Sequence, residues 1–80
     1  MAIELKLPAV SAEMEYGTIT RWLKAEGDRV SPDEPVVEIE ADKVTVELEA
    51  PAPGVLTRIM AAEGDELKVG STLAIIDEDA

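Results

Sequence analysis

Lys43 is the side chain with the clearest chemical use in this chain of 80 residues, which contains no histidine and no cysteine. Without histidine, the serines Ser11, Ser31 and Ser71 cannot belong to a Ser-His nucleophile. Without cysteine, there is no thiolate metal site, and neither a Gly-rich phosphate loop nor a calcium-loop spacing occurs. The sequence therefore predicts no metal, no intrinsic catalysis, and a lysine that another enzyme modifies.

Carboxylates flank this lysine on both sides in the sequence. They stabilise a protonated amine, which makes Lys43 a poor nucleophile unless an outside enzyme acylates it. The acidic positions are Glu38, Glu40, Asp42, Glu47 and Glu49. Partners that approach Lys43 must pass these side chains, so we expect the docking surfaces of the partners to be basic.

The whole chain is acidic, with 18 acidic against 7 basic side chains and a formal net charge of −11. This charge repels nucleic acid and anionic membranes. No apolar run approaches the length of a membrane span or a signal-peptide core. We expect a soluble, monomeric domain in a bacterial cytoplasm, or in the mitochondrial matrix for a processed chain, without nucleic-acid or membrane partners.

An internal repeat organises the sequence, because residues 17–28 return as residues 54–65 at an offset of 37 positions. Self-similarity of this kind predicts a duplicated half-domain. The positions with identical partners are Gly17, Thr20, Arg21, Ala25, Glu26, Gly27 and Asp28. Trp22 corresponds to Ile59, which favours a packing role for the tryptophan over a ligand-stacking role.

The first strands repeat with a different offset, since Pro8 matches Pro51 at a distance of 43 positions. The first copy therefore carries an inserted loop at residues 9–16, where the second copy has only Ala52 and Pro53. An insertion in one half of a symmetric unit predicts a recognition element; an evolutionary leftover is the alternative. The residues assigned to partner recognition are Ser11, Glu13, Met14, Glu15 and Tyr16 in the loop, with Glu40 and Glu47 beside Lys43.

Apolar and polar residues alternate in the pattern of half-buried strands at residues 3–7, 37–41 and 44–48. Residues 16–25 fit a short amphipathic helix as well, but their composition favours a strand. We predict one all-β domain over residues 1–80, a flattened barrel or sandwich of two four-stranded antiparallel sheets with quasi-two-fold symmetry. Val44, Val46 and Leu48 should point inward.

The same symmetry predicts where Lys43 lies. Asp42 corresponds to Asp79 at the offset of 37, so the turn that carries Lys43 corresponds to the chain ends. We expect the turn and the termini at opposite poles, with Lys43 exposed at a hairpin tip and the loop at residues 9–16 near the lysine.

The run Glu40-Ala41-Asp42-Lys43-Val44-Thr45-Val46-Glu47 resembles the Glu-Thr-Asp-Lys-Ala signature of lipoyl domains. These domains belong to the acyltransferase (E2) component of 2-oxo acid dehydrogenase complexes, and the resemblance extends over the whole chain. It implies lipoate joined by an amide to Lys43, as a swinging arm that carries acyl groups and electrons. The implied partners are the thiamine-diphosphate-dependent E1 decarboxylase, the E2 catalytic core and the E3 dihydrolipoamide dehydrogenase. A lipoate ligase or lipoyl transferase would recognise Asp42 and Val44 beside the lysine.

The sequence departs from the family pattern at several positions. Ala41 replaces a common threonine, Asp33 replaces a turn glycine, and Ala12 with Glu13 differ from the loop of pyruvate-type domains, so the 2-oxo acid or acetoin substrate stays open. A biotinyl carrier domain shares the architecture but has an Ala-Met-Lys-Met signature. An unmodified acidic protein-binding module is the third alternative. We expect the chain to be the N-terminal part of a larger acyltransferase.

Overall fold

The computed structural model describes residues 1–79 and contains eight strands in two antiparallel sheets. The strands are β1 (Ala2–Lys6), β2 (Tyr16–Trp22), β3 (Arg29–Val30), β4 (Pro35–Ala41), β5 (Val44–Glu49), β6 (Gly54–Ile59), β7 (Glu66–Lys68) and β8 (Thr72–Asp77). One sheet has the order β1-β8-β6-β3 and the other β5-β4-β2-β7. The predicted all-β fold is confirmed, and residues 16–22 form a strand. No helix among residues 1–79 is long and apolar enough to cross a membrane.

The two sheets are copies of one another in strand order. Replacing β1, β2, β3 and β4 by β5, β6, β7 and β8, and the reverse, converts the order of one sheet into that of the other. The offsets in the sequence give the same correspondence. This agreement confirms the predicted duplication and quasi-two-fold symmetry.

The repeated Ala-Glu-Gly-Asp turns fasten each half of the molecule to the other half. Gly27 and Gly64 adopt φ angles of 94° and 91°, a left-handed conformation that glycine reaches without steric cost. The N–H of Gly27 donates to the carbonyl of Leu56 at 2.7 Å, and the N–H of Gly64 donates to the carbonyl of Ile19 at 2.7 Å. Each turn therefore binds a strand of the other half of the chain through a matched hydrogen bond.

The glutamates of these turns complete the connection. The register of the sheets shifts between Ile19 and Arg21 in β2 and at the matching place in β6, and an irregular strand leaves backbone groups without a ladder partner. Just beyond these shifts, the N–H of Trp22 donates to Glu63 at 3.0 Å and the N–H of Ile59 donates to Glu26 at 2.7 Å. The identical glutamates thus satisfy donors that the shifted ladders leave free.

The core lies between the two sheets and contains no buried polar or charged residue among those described. Its largest fully buried side chains are Leu7, Ile19, Ile39, Leu56, Leu73, Ile76, Val30, Val36 and Val37. Trp22 packs against this core and donates its indole N–H to the carbonyl of Ala61 at 2.7 Å, as the packing interpretation requires. The predicted inward orientation is wrong for Val44, which is 55% exposed, because the hairpin tip extends past the core.

Candidate functional site

Lys43 lies in the turn of the β4–β5 hairpin. Ala41 pairs with Val44 across this turn, so Asp42 and Lys43 form a two-residue loop. Their φ angles are 50° and 66°, and two successive residues with positive φ are the mark of a type I′ turn. Residues other than glycine in this region carry strain of order 1 kcal/mol each. The sequence analysis predicted the exposed lysine but not this conformation, although the two-residue gap between strands was a usable signal.

The turn and the chain termini lie at different ends of the molecule, whose longest extent is 35 Å. At one end, the amine of Met1 donates to the carboxylates of Asp79 and Asp77, and the hydrogen bond to Asp79 raises the pKa of this amine above its ordinary value. β1 leads away from that end over five residues into the loop at residues 9–16. The hydroxyl of Ser11 in this loop donates to the Asp42 carboxylate at 3.4 Å. The predicted proximity of the loop to the lysine turn is thereby confirmed.

The loop is anchored by a methionine. Met14 is only 7% exposed, its sulfur accepts the N–H of Val10 at 3.3 Å, and its methyl group lies against Gly17. Met14 was predicted to belong to the recognition surface, but it is buried and supports the loop from beneath. The other assigned loop residues, Ser11, Glu13, Glu15 and Tyr16, are all exposed.

The sheet face beside Lys43 carries the predicted carboxylates. Glu40 and Glu47 are exposed, and Glu38 is half-buried with its carboxylate accepting the Thr20 hydroxyl at 3.1 Å. Glu38 lies directly opposite Glu47 in the β4–β5 ladder. Like charges that face each other across two strands repel, and on the β2 side the ladder partner of Glu38 is Arg21.

A surface groove of about 620 Å³ lies away from this turn. It is lined by Trp22, Ile59, Met60, Ala61, Ala62, Glu63 and Asp65. None of these residues belongs to the Lys43 turn or to the loop at residues 9–16. Lys43 is exposed in the hairpin turn and lies outside this groove. The described residues contain no group of three or more potential metal ligands.

Comparison with known proteins gives the family. The Biotin_lipoyl family model, described as "Biotin-requiring enzyme", matches residues 3–76. The chain belongs to this family. The name of the family includes both of the predicted alternatives, the lipoyl and the biotinyl domain.

The curated relatives of this biotinyl/lipoyl domain include components of pyruvate dehydrogenase complexes. The mitochondrial dihydrolipoyllysine-residue acetyltransferase component 3 of Arabidopsis thaliana is 48% identical, covering 95% of this chain and 14% of that protein. The acetyltransferase component of Corynebacterium glutamicum is 42% identical over 98% of this chain and 12% of its own length. The E1 component subunit beta of Rhizobium meliloti is 42% identical over 99% and 17%. The chain thus spans less than a fifth of these three relatives, and the resemblance to E2 components is confirmed.

Solved structures support the same assignment. The lipoyl domain of the 2-oxoglutarate dehydrogenase complex from Azotobacter vinelandii has a TM-score of 0.79 and 38% identity, covering 95% of this chain and 96% of that one. The urea carboxylase of Kluyveromyces lactis has a TM-score of 0.82 and 26% identity, covering 96% of this chain and 6% of that one. The fold is therefore shared by a lipoyl domain and by a small part of a large enzyme.

Proposed function

We propose that this chain is a lipoyl carrier domain, in which lipoate is joined by an amide bond to Lys43 and serves as a swinging arm. The observation that carries this proposal is the exposed Asp42–Lys43 turn, held in a type I′ conformation at the end of the molecule away from the termini. The acetyltransferase components among the relatives support the choice of lipoate.

The residues around Lys43 suit this role. The β4–β5 ladder and the Ser11 contact to Asp42 fix the base of the arm, while the lysine side chain extends from an exposed position. The reacting thiols would come from the lipoyl group, because the chain supplies no cysteine. The domain positions and presents the group, and its own side chains perform no bond-making step in this proposal.

The partners of this proposal are the E1 decarboxylase, the E2 catalytic core, the E3 dihydrolipoamide dehydrogenase, and a lipoate ligase or lipoyl transferase. Residues 1–80 would act as one lipoyl domain of a longer acyltransferase. A pyruvate dehydrogenase complex is the favoured setting, because the acetyltransferase relatives carry that description. Bacterial cytoplasm and the mitochondrial matrix are both compatible with the range of these relatives.

Intact mass tests the proposal. The domain is produced together with a lipoate ligase and, in a separate culture, with a biotin protein ligase. We expect one lipoyl addition in the first culture and an unmodified mass in the second, because Asp42 and Val44 replace the methionines of a biotinyl signature. A biotinyl addition alone would favour the rival branch of the family, and the absence of both additions would favour the unmodified binding module.

The exposed loop residues and Asp42, Val44, Glu40 and Glu47 form the proposed recognition surface for partners. To test the loop, residues 11–16 are replaced by a short connection like Ala52-Pro53, and the junction is redesigned to replace the contacts that the deleted Met14 makes with Val10 and Gly17. Lipoylation should continue, while reductive acylation by the cognate E1 should slow by about tenfold, the equivalent of roughly 1.4 kcal/mol. Equal acylation rates for the two forms would reject a recognition role for the loop.

A further inference from the structure

β5 is an edge strand that begins immediately after Lys43. Among the described residues it pairs only with β4. The pair that flanks a two-residue hairpin loop exchanges both hydrogen bonds, and such pairs then recur at every second residue. Val44 and Val46 therefore bond to β4, whereas the backbone N–H and C=O groups of Thr45 and Glu47 point toward the open edge.

Glu47 faces a like charge, Glu38, across the sheet, whereas the other ladder partner of Glu38, on β2, is the cation Arg21. The side chains of Glu47 and Glu38 are neighbours in a non-hydrogen-bonded pair, the closer of the two pair types. None of the ion pairs within residues 1–79 includes Glu38, Glu40 or Glu47. A cation placed on the free side of Glu47 would relieve this repulsion.

The edge related to β5 by the two-fold symmetry is different. In β1, Ala2 and Glu4 take the places of Thr45 and Glu47, and Glu4 lies opposite Ile75. The Glu4 carboxylate accepts the Thr72 hydroxyl at 2.8 Å and lies 3.9 Å from the Lys6 amine. The same strand position is thus satisfied internally at one edge and left open at the other.

We propose that the β5 edge accepts an extended, basic segment of a protein that acts at Lys43, as an additional strand of the sheet. The backbone groups of Thr45 and Glu47 supply the hydrogen bonds, and a lysine or arginine of the segment lies beside Glu47. Strand pairing fixes the register, so a partner bound here finds Lys43 at a set distance from its own backbone. This inference deepens the proposed carrier function by naming the surface and the chemistry of its partner.

The probe is a blocked hexapeptide of alternating lysine and valine, titrated into the isotope-labelled domain and followed by amide chemical shifts. A second peptide has the same side chains but is N-methylated at every residue, so that it keeps its charge and loses its backbone donors. We expect shifts centred on Thr45 and Glu47, and at least tenfold weaker binding of the methylated peptide. Equal binding of the two peptides, or equal shifts along β1, overturns the proposal.

Matched substitutions on the two edges sharpen the experiment. Thr45→Pro blocks an outward N–H without removing a ladder bond, and Ala2→Pro does the same on β1. We expect at least tenfold weaker binding for Thr45→Pro and parental binding for Ala2→Pro. Glu47→Gln, a surface change that preserves the fold, should also weaken binding severalfold, and parental binding by this variant overturns the proposal even if Thr45→Pro unfolds.

Lipoylation of the parental chain is measured in parallel, because it tests the proposed function separately. A chain that is lipoylated on Lys43 but shows no β5 binding rejects the docking edge and leaves the carrier function standing. A chain that binds the peptide on β5 but is not lipoylated rejects the carrier function and leaves the docking edge standing.

Discussion

The two ends of this molecule are built from equivalent strands and differ in what joins them. At one end, the β4–β5 hairpin closes through Asp42 and Lys43, with the loop at residues 9–16 beside it. At the other end, the equivalent strands β8 and β1 pair but are not joined, and the amine of Met1 contacts Asp77 and Asp79 there. The duplication thus supplies the frame, whereas the proposed function lies in the parts that depart from the symmetry.

The repeated glycines Gly17 and Gly54 should show the largest difference between the two halves in the stability lost on substitution. A Cβ atom at Gly54 would lie 2.5 Å from the backbone oxygen of Asp77, whereas at Gly17 it would meet the flexible Met14 side chain at 3.1 Å. We expect Gly54→Ala to lower the free energy of unfolding by about 3 kcal/mol and Gly17→Ala by about 1 kcal/mol. Urea denaturation followed by the fluorescence of the single tryptophan, Trp22, measures both.

The amide spectra of the two glycine variants serve as a control, because they show which end of the molecule each substitution disturbs. In Gly17→Ala, the added methyl group contacts Met14, which anchors the loop. The amide chemical shifts of this variant should therefore change near Lys43. Gly54→Ala should disturb the end where the termini meet. If the two variants lose equal free energy of unfolding, the close backbone approach at Gly54 does not determine the loss, and the two halves tolerate this substitution equally.

The turn glutamates provide a second test of the symmetry, with an expected change in stability of intermediate size. Glu26 and Glu63 each accept one backbone N–H from the other half. We expect Glu26→Ala and Glu63→Ala to cost about 1 kcal/mol each, and the glutamine variants to recover most of this loss because their amide oxygen still accepts. Glu66→Ala, at an exposed position of β7, serves as the control and should stay within about 0.5 kcal/mol of the parent. If both alanine variants were as stable as the parent, the two glutamates would not contribute to the connection between the halves.

The ion pair between Lys24 and Glu34 occurs in the first half alone, since Ala61 and Ser71 occupy the corresponding positions. The hydrogen bond from Lys24 at 3.0 Å holds the pKa of Glu34 below its ordinary value of 4.5. A lowered pKa in the folded chain contributes stability that is complete above pH 4.5 and is lost as the pH falls through the folded value.

Glu34→Gln should therefore lower the melting temperature slightly at neutral pH, by no more than a few degrees, because both side chains are partly exposed. The difference between parent and variant should shrink as the pH falls below 4.5. Melting curves at a series of pH values measure this difference, with Asp33→Asn as a neighbouring control. A difference that stays constant down to strongly acidic pH contradicts the assigned cause.

Much of the frame could be predicted because strand alternation and the repeat are local patterns in the sequence. The two sheets, the symmetry and the loop beside Lys43 all followed from the two offsets. The hydrogen bonds from Trp22 to Glu63 and from Ile59 to Glu26 could not be predicted, because they depend on register shifts that no pattern of side chains specifies. Met14 and Val44 were misplaced because polarity alone does not tell whether a loop is anchored or a hairpin tip extends past the core.

In the proposed function, Lys43 and no other lysine carries the lipoyl group. The decisive measurement is intact mass with peptide mapping of the parent and of Lys43→Arg, each produced with a lipoate ligase. The proposal predicts one lipoyl group on Lys43 of the parent and none anywhere on the variant, whose stability should change by less than about 0.5 kcal/mol. Lipoate on Lys24 or Lys68 of the variant, or a parent that stays unmodified, would contradict it.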